Sequence, residues 1–106
     1  MITIDQFKTV ELRVATVKTA EPHPNADRLL VLRVEVGGEE RQIVAGIRAT
    51  YDPTTLVGRQ VVVVTNLESA TLRGVESQGM ILAAAGESGP VLVTPERPVP
   101  SGAVVR

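Results

Sequence analysis

Leu29-Leu30-Val31-Leu32-Arg33-Val34-Glu35-Val36-Gly37-Gly38-Glu39-Glu40-Arg41-Gln42-Ile43-Val44-Ala45-Gly46-Ile47 is the stretch on which the fold turns. Leu30, Leu32, Val34 and Val36 recur at every second position, with Arg33 and Glu35 between them. That is the period of a strand with one buried face. Gly37-Gly38 supplies a hairpin turn. Arg41 to Ile47 returns with Ile43, Ala45 and Ile47 in phase, which predicts an antiparallel partner strand.

The same logic extends outward in both directions. Val10 to Thr19 is strand-like, but its apolar face changes from Leu12 and Val14 to Ala15 and Val17. A change of face predicts a bulge or sharp coil in a long first strand. Thr3-Ile4-Asp5-Gln6 fits a capping box for a short helix from Ile4 to about Lys8, too short to stand without docking. Glu21 to Asp27 carries two prolines with Asn25 and Asp27, and reads as a rigid loop. Tyr51 to Gly58 reads as one helical turn or a loop. Four consecutive valines, Val61 to Val64, predict a strand buried on both sides.

Asn66 to Met80 is long, polar and marked by two glycines, and is expected to be an ordered loop pegged by Leu67, Leu72 and Val75. Met80 to Ala85 and Val91 to Thr94 read as strands, with a turn at Gly86 to Pro90. The proline-broken tail ends in a short strand from Ala103 to Val105, and is expected on the outside of the fold or against a second copy. Short strands at close spacing, a curved first strand and little helix predict an all-β fold. The best match is a five-stranded oligonucleotide- and oligosaccharide-binding (OB) barrel with short helices.

At 106 residues the chain is expected to form one domain, residues 1–106. It has no cysteine, which removes thiolate chemistry and disulfides. Its single histidine, His23, lacks partners at metal-ligand spacing, so no metal or cofactor is expected, and the ring reads as packing on prolines or capping the loop. No nucleophile and base stand together; Ser77 lies in no nucleophile-elbow pattern, and a hydrolase using it is the weakest reading. No apolar run reaches the roughly 18 to 20 residues that span a bilayer, and no secretory signal opens the chain, so a cytoplasmic protein is expected.

Binding is the remaining class. Arg28, Arg33, Arg41, Arg48 and Arg73 lie on the hairpin, beside it or in the long polar segment, and a guanidinium fork suits phosphate. The other reading is a solvated face with Arg33 and Arg41 paired to Glu35, Glu39 or Glu40. Net charge is −1, and Phe7 and Tyr51 are the only aromatics. A nucleic acid here would therefore be held by backbone and shape, not by stacked bases.

Several blocks in order carry a resemblance. They are Ile4-Asp5-Gln6-Phe7, Val10 to Ala15, Glu21 to Leu29, Arg41 to Ile47, Asn66-Leu67 and Leu72 to Met80. Nearly end to end, the chain resembles the tRNA-binding domain at the C-terminus of bacterial methionyl-tRNA synthetases, also found as stand-alone dimeric tRNA-binding proteins and in the domain related to endothelial-monocyte-activating polypeptide II. The resemblance implies an OB-fold homodimer that binds tRNA with little sequence preference. It implies an RNA face at Asn25, Arg28, Arg41, Asn66, Arg73, Ser77, Gln78 and Met80. It also implies a dimer contact built from the N-terminal helix and the C-terminal segment. Glu68, Ser69 and Thr71 stand where relatives often carry Lys, Pro or Arg, and Ala45 where they carry Ser. The end of the 66–80 segment is therefore expected to contact RNA in preference to its beginning. A CsaA-type chaperone of the same superfamily is the alternative. The bounds Met1 and Arg106 fit a free-standing protein as well as a domain of a longer chain.

Overall fold

The central hairpin forms where its periodicity places it. The computed structural model describes all residues, Met1–Arg106. Strand β1 is Leu12–Pro22, β2 is Leu30–Val36 and β3 is Glu39–Ala45. The β2–β3 ladder runs from Leu30 opposite Ala45 to Val36 opposite Glu39, and Gly37 and Gly38 both adopt positive φ in the turn. Leu30, Leu32, Val34 and Ile43 are fully buried. Strand β4, Gln60–Val64, pairs with the first half of β1.

Burial of the four valines on both sides has a specific cause. Val61 and Val63 enter the main core with Ala15, Val17, Leu30, Leu32, Val34, Ile43 and Leu56. Val62 and Val64 enter a smaller outer cluster with Leu12, sealed by Leu82 and Val105. The same two clusters explain β1. Leu12 belongs to the outer cluster, while Ala15 and Val17 belong to the barrel interior, so this part of the strand is buried on both faces and needs no bulge there. A bulge does occur, but later. Val17 pairs with Val34 and Thr19 with Arg33, leaving Lys18 extra. That extra residue flips the parity and returns Ala20, opposite Leu32, to the core.

Helix α1, Ile4–Phe7, has the full capping box: Gln6 N–H donates to Thr3 Oγ1 (3.1 Å) and Thr3 N–H to Gln6 Oε1 (2.8 Å). It buries none of its residues against its own barrel, so the expected docking is not made within one chain. The Tyr51–Gly58 segment holds a single 3₁₀ turn, Pro53–Thr55, capped by Asp52.

Two expectations fail. The Asn66–Met80 segment is not a loop. It is a small hairpin of β5, Ala70–Leu72, and β6, Val75–Ser77, closed by Arg73 (φ 51°) and Gly74 (φ 88°). Positive φ at both central residues is the backbone twist that suits a two-residue hairpin. Its supposed pegs are not buried either, since Leu67 and Leu72 are 48% and 39% exposed. The second failure is the single strand from Met80 to Ala85. Instead β7, Met80–Ile81, pairs with β4, whereas β8, Ala83–Gly86, leaves to form a hairpin with β9, Gly89–Leu92. Leu82 points into the outer cluster between them.

The main sheet runs β3-β2-β1-β4-β7 and curls so that its two ends approach. This is the expected all-β, OB-like barrel. Beyond Leu92 the tail crosses the outside. Gln60 grips the Val99 backbone at both ends of its amide, Ser101 Oγ donates to the Glu35 carboxylate, and β10, Val104–Val105, pairs with β1.

Candidate nucleic-acid interface

At one end of the barrel the proline loop meets the tip of the β5–β6 hairpin. His23, between two prolines, is 3% exposed. Asn25 N–H donates to its Nδ1 at 2.9 Å, so Nε2 carries the proton and donates to Leu72 O at 2.9 Å. Arg73 Nη2 donates to Asn25 O at 3.2 Å. Asn25, Arg28 and Arg73 thereby line one open cleft of about 410 Å³ with Ala26, Asp27 and Leu29. All three side chains are exposed, and two of them are cations without a carboxylate partner.

A second group lies along the seam where β3 faces the 76–79 segment. The two edges share no ladder. Side chains close the gap instead. Val44 N–H donates to Ser77 Oγ at 2.9 Å, and Ser77 Oγ–H donates to Gly79 O at 3.0 Å. Gln42 N–H donates to Gln78 Oε1 at 3.0 Å, Gln78 N–H returns to Gln42 O at 2.7 Å, and Gln42 Nε2 donates to Glu76 O at 2.8 Å. Ser77 is buried at 4% exposure, so its hydroxyl is committed to the seam. Gly79, at φ 144°, packs so closely that a Cβ would stand 2.9 Å from Val64 O and 3.0 Å from Ile43 Cδ1. Met80 follows on the rim, 49% exposed. Arg41 is half-buried beside it, with Nε on Glu39 (3.0 Å) and Nη1 on Thr65 O and Gln78 O.

Asn66 sits apart from both groups. Its Oδ1 accepts from Glu11 N–H at 2.8 Å and its Nδ2 donates to Thr9 O at 2.7 Å, which ties the segment after α1 to the end of β4. Beside it, Ile4, Phe7, Val10, Val104 and Val105 line an apolar groove of about 760 Å³. Thr65 Oγ1 donates to Glu11, and this bond together with Arg13 holds the Glu11 carboxyl below the usual carboxylate range. The Gly38 N–H and Ser101 hydroxyl do the same for Glu35, as Thr54 does for Asp52. These are structural carboxylates, each bonded within the chain.

The structure thus divides the eight residues singled out by the sequence into three places. Asn25, Arg28 and Arg73 share the cleft. Arg41, Ser77, Gln78 and Met80 follow the seam and its rim. Asn66 belongs to the α1 junction. The expected capping of the loop by His23 is made through Asn25 N–H, but sequence reasoning missed its second partner, Leu72 O, and missed Gln42 altogether; these partners lie 49 and 34 residues away along the chain. No local spacing reports such a pair.

The barrel and its cationic cleft define a small β-barrel binding module. The sequence profile of the family described as "Putative tRNA binding domain" matches residues 12–104, and the chain belongs to that family. The chain is 51% identical over its full length to part of a methionine–tRNA ligase of Deinococcus radiodurans, and it spans only 16% of that relative. Its fold matches the crystal structure of a MetRS-related protein from Pyrococcus horikoshii with a TM-score of 0.92 at 37% identity, covering 100% of this chain and 98% of that one. It also matches the chaperone CsaA of Bacillus anthracis, at 0.90 and 29% identity, covering 100% and 99%. No helix of the chain is long and apolar enough to cross a membrane.

Proposed function

We propose that this chain is a non-catalytic tRNA-binding and homodimerisation module, cytoplasmic, folding as one unit over residues 1–106, and acting as the C-terminal domain of a methionyl-tRNA synthetase or as a free-standing relative. The observation that carries the RNA reading is the cleft in which Asn25, Arg28 and Arg73 converge, two of them unpaired cations on an otherwise mildly acidic chain. Such a cleft grips phosphate, which every tRNA offers regardless of sequence. Gln78 and Met80 extend the face along the rim, and Arg41 reaches it from the seam. Ser77 serves it by holding the seam, because its hydroxyl is already bonded there, whereas both amide atoms of Asn66 are bonded at the α1 junction, away from this face.

Ile4 and Phe7 of α1, 66% and 39% exposed, and Val104 of β10, 51% exposed, support the dimer. Grouped apolar side chains around one groove favour a covered surface. A second copy covers its own equivalent groove by two-fold symmetry.

Titration of bulk tRNA against Arg73→Ala, at several salt concentrations, tests the RNA reading. Affinity should fall and the slope of log K against log salt should flatten by about one. Unchanged affinity and slope would remove Arg73 from the face. Light scattering on Phe7→Glu should report a monomer where the parent is a dimer. The likeness to CsaA favours a second reading, a protein-binding chaperone module. Preference for an unfolded polypeptide over tRNA in direct competition would favour it.

A further inference from the structure

The cleft is made by two segments that are far apart in sequence. Asn25 and Arg28 ride on the proline loop, whereas Arg73 rides on a two-residue turn at the end of a three-residue-per-strand hairpin. A hairpin that short has no rigidity of its own. Something must hold its tip at a fixed distance from the loop if the cations are to meet one phosphate group or two adjacent ones.

Two links cross the gap. One is the exposed bond from Arg73 Nη2 to Asn25 O. It uses the guanidinium itself, which must reorient or share its protons when it engages phosphate. The other is the bond from His23 Nε2–H to Leu72 O, the carbonyl one residue before Arg73. It involves no RNA-facing group, and its ring is buried at 3% exposure. The opposite nitrogen of the same ring fixes the Asn25 N–H. One imidazole thus sets both banks: its Nδ1 shapes the loop that carries Asn25 and Arg28, and its Nε2 anchors the turn that carries Arg73. The His23–Leu72 link uses no group offered to a ligand, while the Arg73–Asn25 bond uses the guanidinium itself.

We propose that His23 is the positioning residue of the RNA face, coupling the proline loop to the β5–β6 hairpin so that Arg28 and Arg73 act as a pair. The proposal rests on the tRNA reading above. It assigns no contact with RNA to the imidazole. The ring acts through Leu72 O and Asn25 N–H.

The test uses the full chain, bulk tRNA and six proteins: the parent, His23→Ala, His23→Gln, His23→Asn, Arg73→Ala and the His23→Ala/Arg73→Ala double variant. Glutamine places an amide N–H where Nε2 stands and so retains the bond to Leu72 O. Asparagine places an oxygen where Nδ1 stands and retains only the Asn25 bond. The coupling between His23 and Arg73 should be roughly fivefold or more, meaning that His23→Ala costs much less affinity once Arg73 is absent. Gln should recover most of the parent affinity and salt slope, and Asn should not. Additive losses in the double variant, or equal losses for Gln and Asn, overturn the proposal while leaving the tRNA reading in place. Should His23→Ala fail to fold, the Gln and Asn pair decides the matter alone, with thermal unfolding confirming that both are native at the assay temperature. A parent chain that binds no tRNA at all overturns the functional reading, and this proposal with it.

Discussion

Ser77→Ala removes one oxygen, and the structure says what that oxygen does. Ser77 Oγ is the acceptor for Val44 N–H and the donor to Gly79 O, at 2.9 and 3.0 Å. Val44 and Ser77 are 6% and 4% exposed, so water cannot replace the lost partner without opening the seam. A buried amide left unpaired costs about 1–3 kcal/mol. The Gly79 carbonyl loses a donor as well, which places the total near the upper half of that range, roughly 2–3 kcal/mol. For a domain of this size each kcal/mol lowers Tm by roughly 4–8 °C, so Ser77→Ala should melt about 8–24 °C below the parent. Urea unfolding at unchanged m-value measures it directly, with Ser88→Ala in the exposed β8–β9 turn as a control expected within about 0.5 kcal/mol. Assayed where the variant is fully folded, its tRNA affinity should fall less than that of Arg73→Ala. A variant as stable as the parent that has lost tRNA binding would refute the reasoning. The hydroxyl would then be a ligand contact and not a seam bond.

Gly79→Ala should be harsher than an ordinary surface change, because the added Cβ meets backbone, Val64 O at 2.9 Å, in a φ region closed to L-residues; a loss of about 2 kcal/mol or more is expected in the same urea assay. Glu11, Glu35 and Asp52 all have folded pKa values below their ordinary ones, so between those values and the ordinary ones, about 4.3 for Glu and 3.9 for Asp, the folded chain binds fewer protons than the unfolded chain. Stability from these groups is therefore complete above about pH 5 and is lost as pH falls through the window, and Glu35→Gln should flatten that acid limb in pH-dependent melting. Gln60→Ala frees the N–H and the carbonyl of Val99, and hydrogen exchange should quicken at Val99 and over residues 101–105 while β2 and β3 stay protected. Equal protection of the tail in both proteins would show that the Ser101 bond and the pairing along β1 hold it without Gln60.

Sequence reading succeeded where the interaction is local. The period of two in Leu30 to Val36 set β2 and its inward face, Gly37-Gly38 set the turn, and Thr3 with Gln6 set the cap of α1. It failed for Asn66 to Met80 because Arg73 carries no signal for positive φ, and because the strands on either side are only three residues long. It failed at Met80 to Ala85 because an apolar run does not say where pairing partners change.

The sequence by itself determined the all-β class, the central hairpin, the doubly buried valine strand and the family. Alternation, turn residues and caps act within a few positions, and motif order survives without coordinates. Only the tertiary structure decided which partners the matched residues bond. His23 meets a carbonyl 49 residues on, Ser77 an amide 33 residues back, and Asn66 an amide 55 residues back. The Ser77 pair exists because the sheet curls and brings its two edges together, and the Asn66 pair because β1 and β4 lie side by side. They separate the residues that can face a phosphate, Arg28 and Arg73, from those already holding the barrel shut.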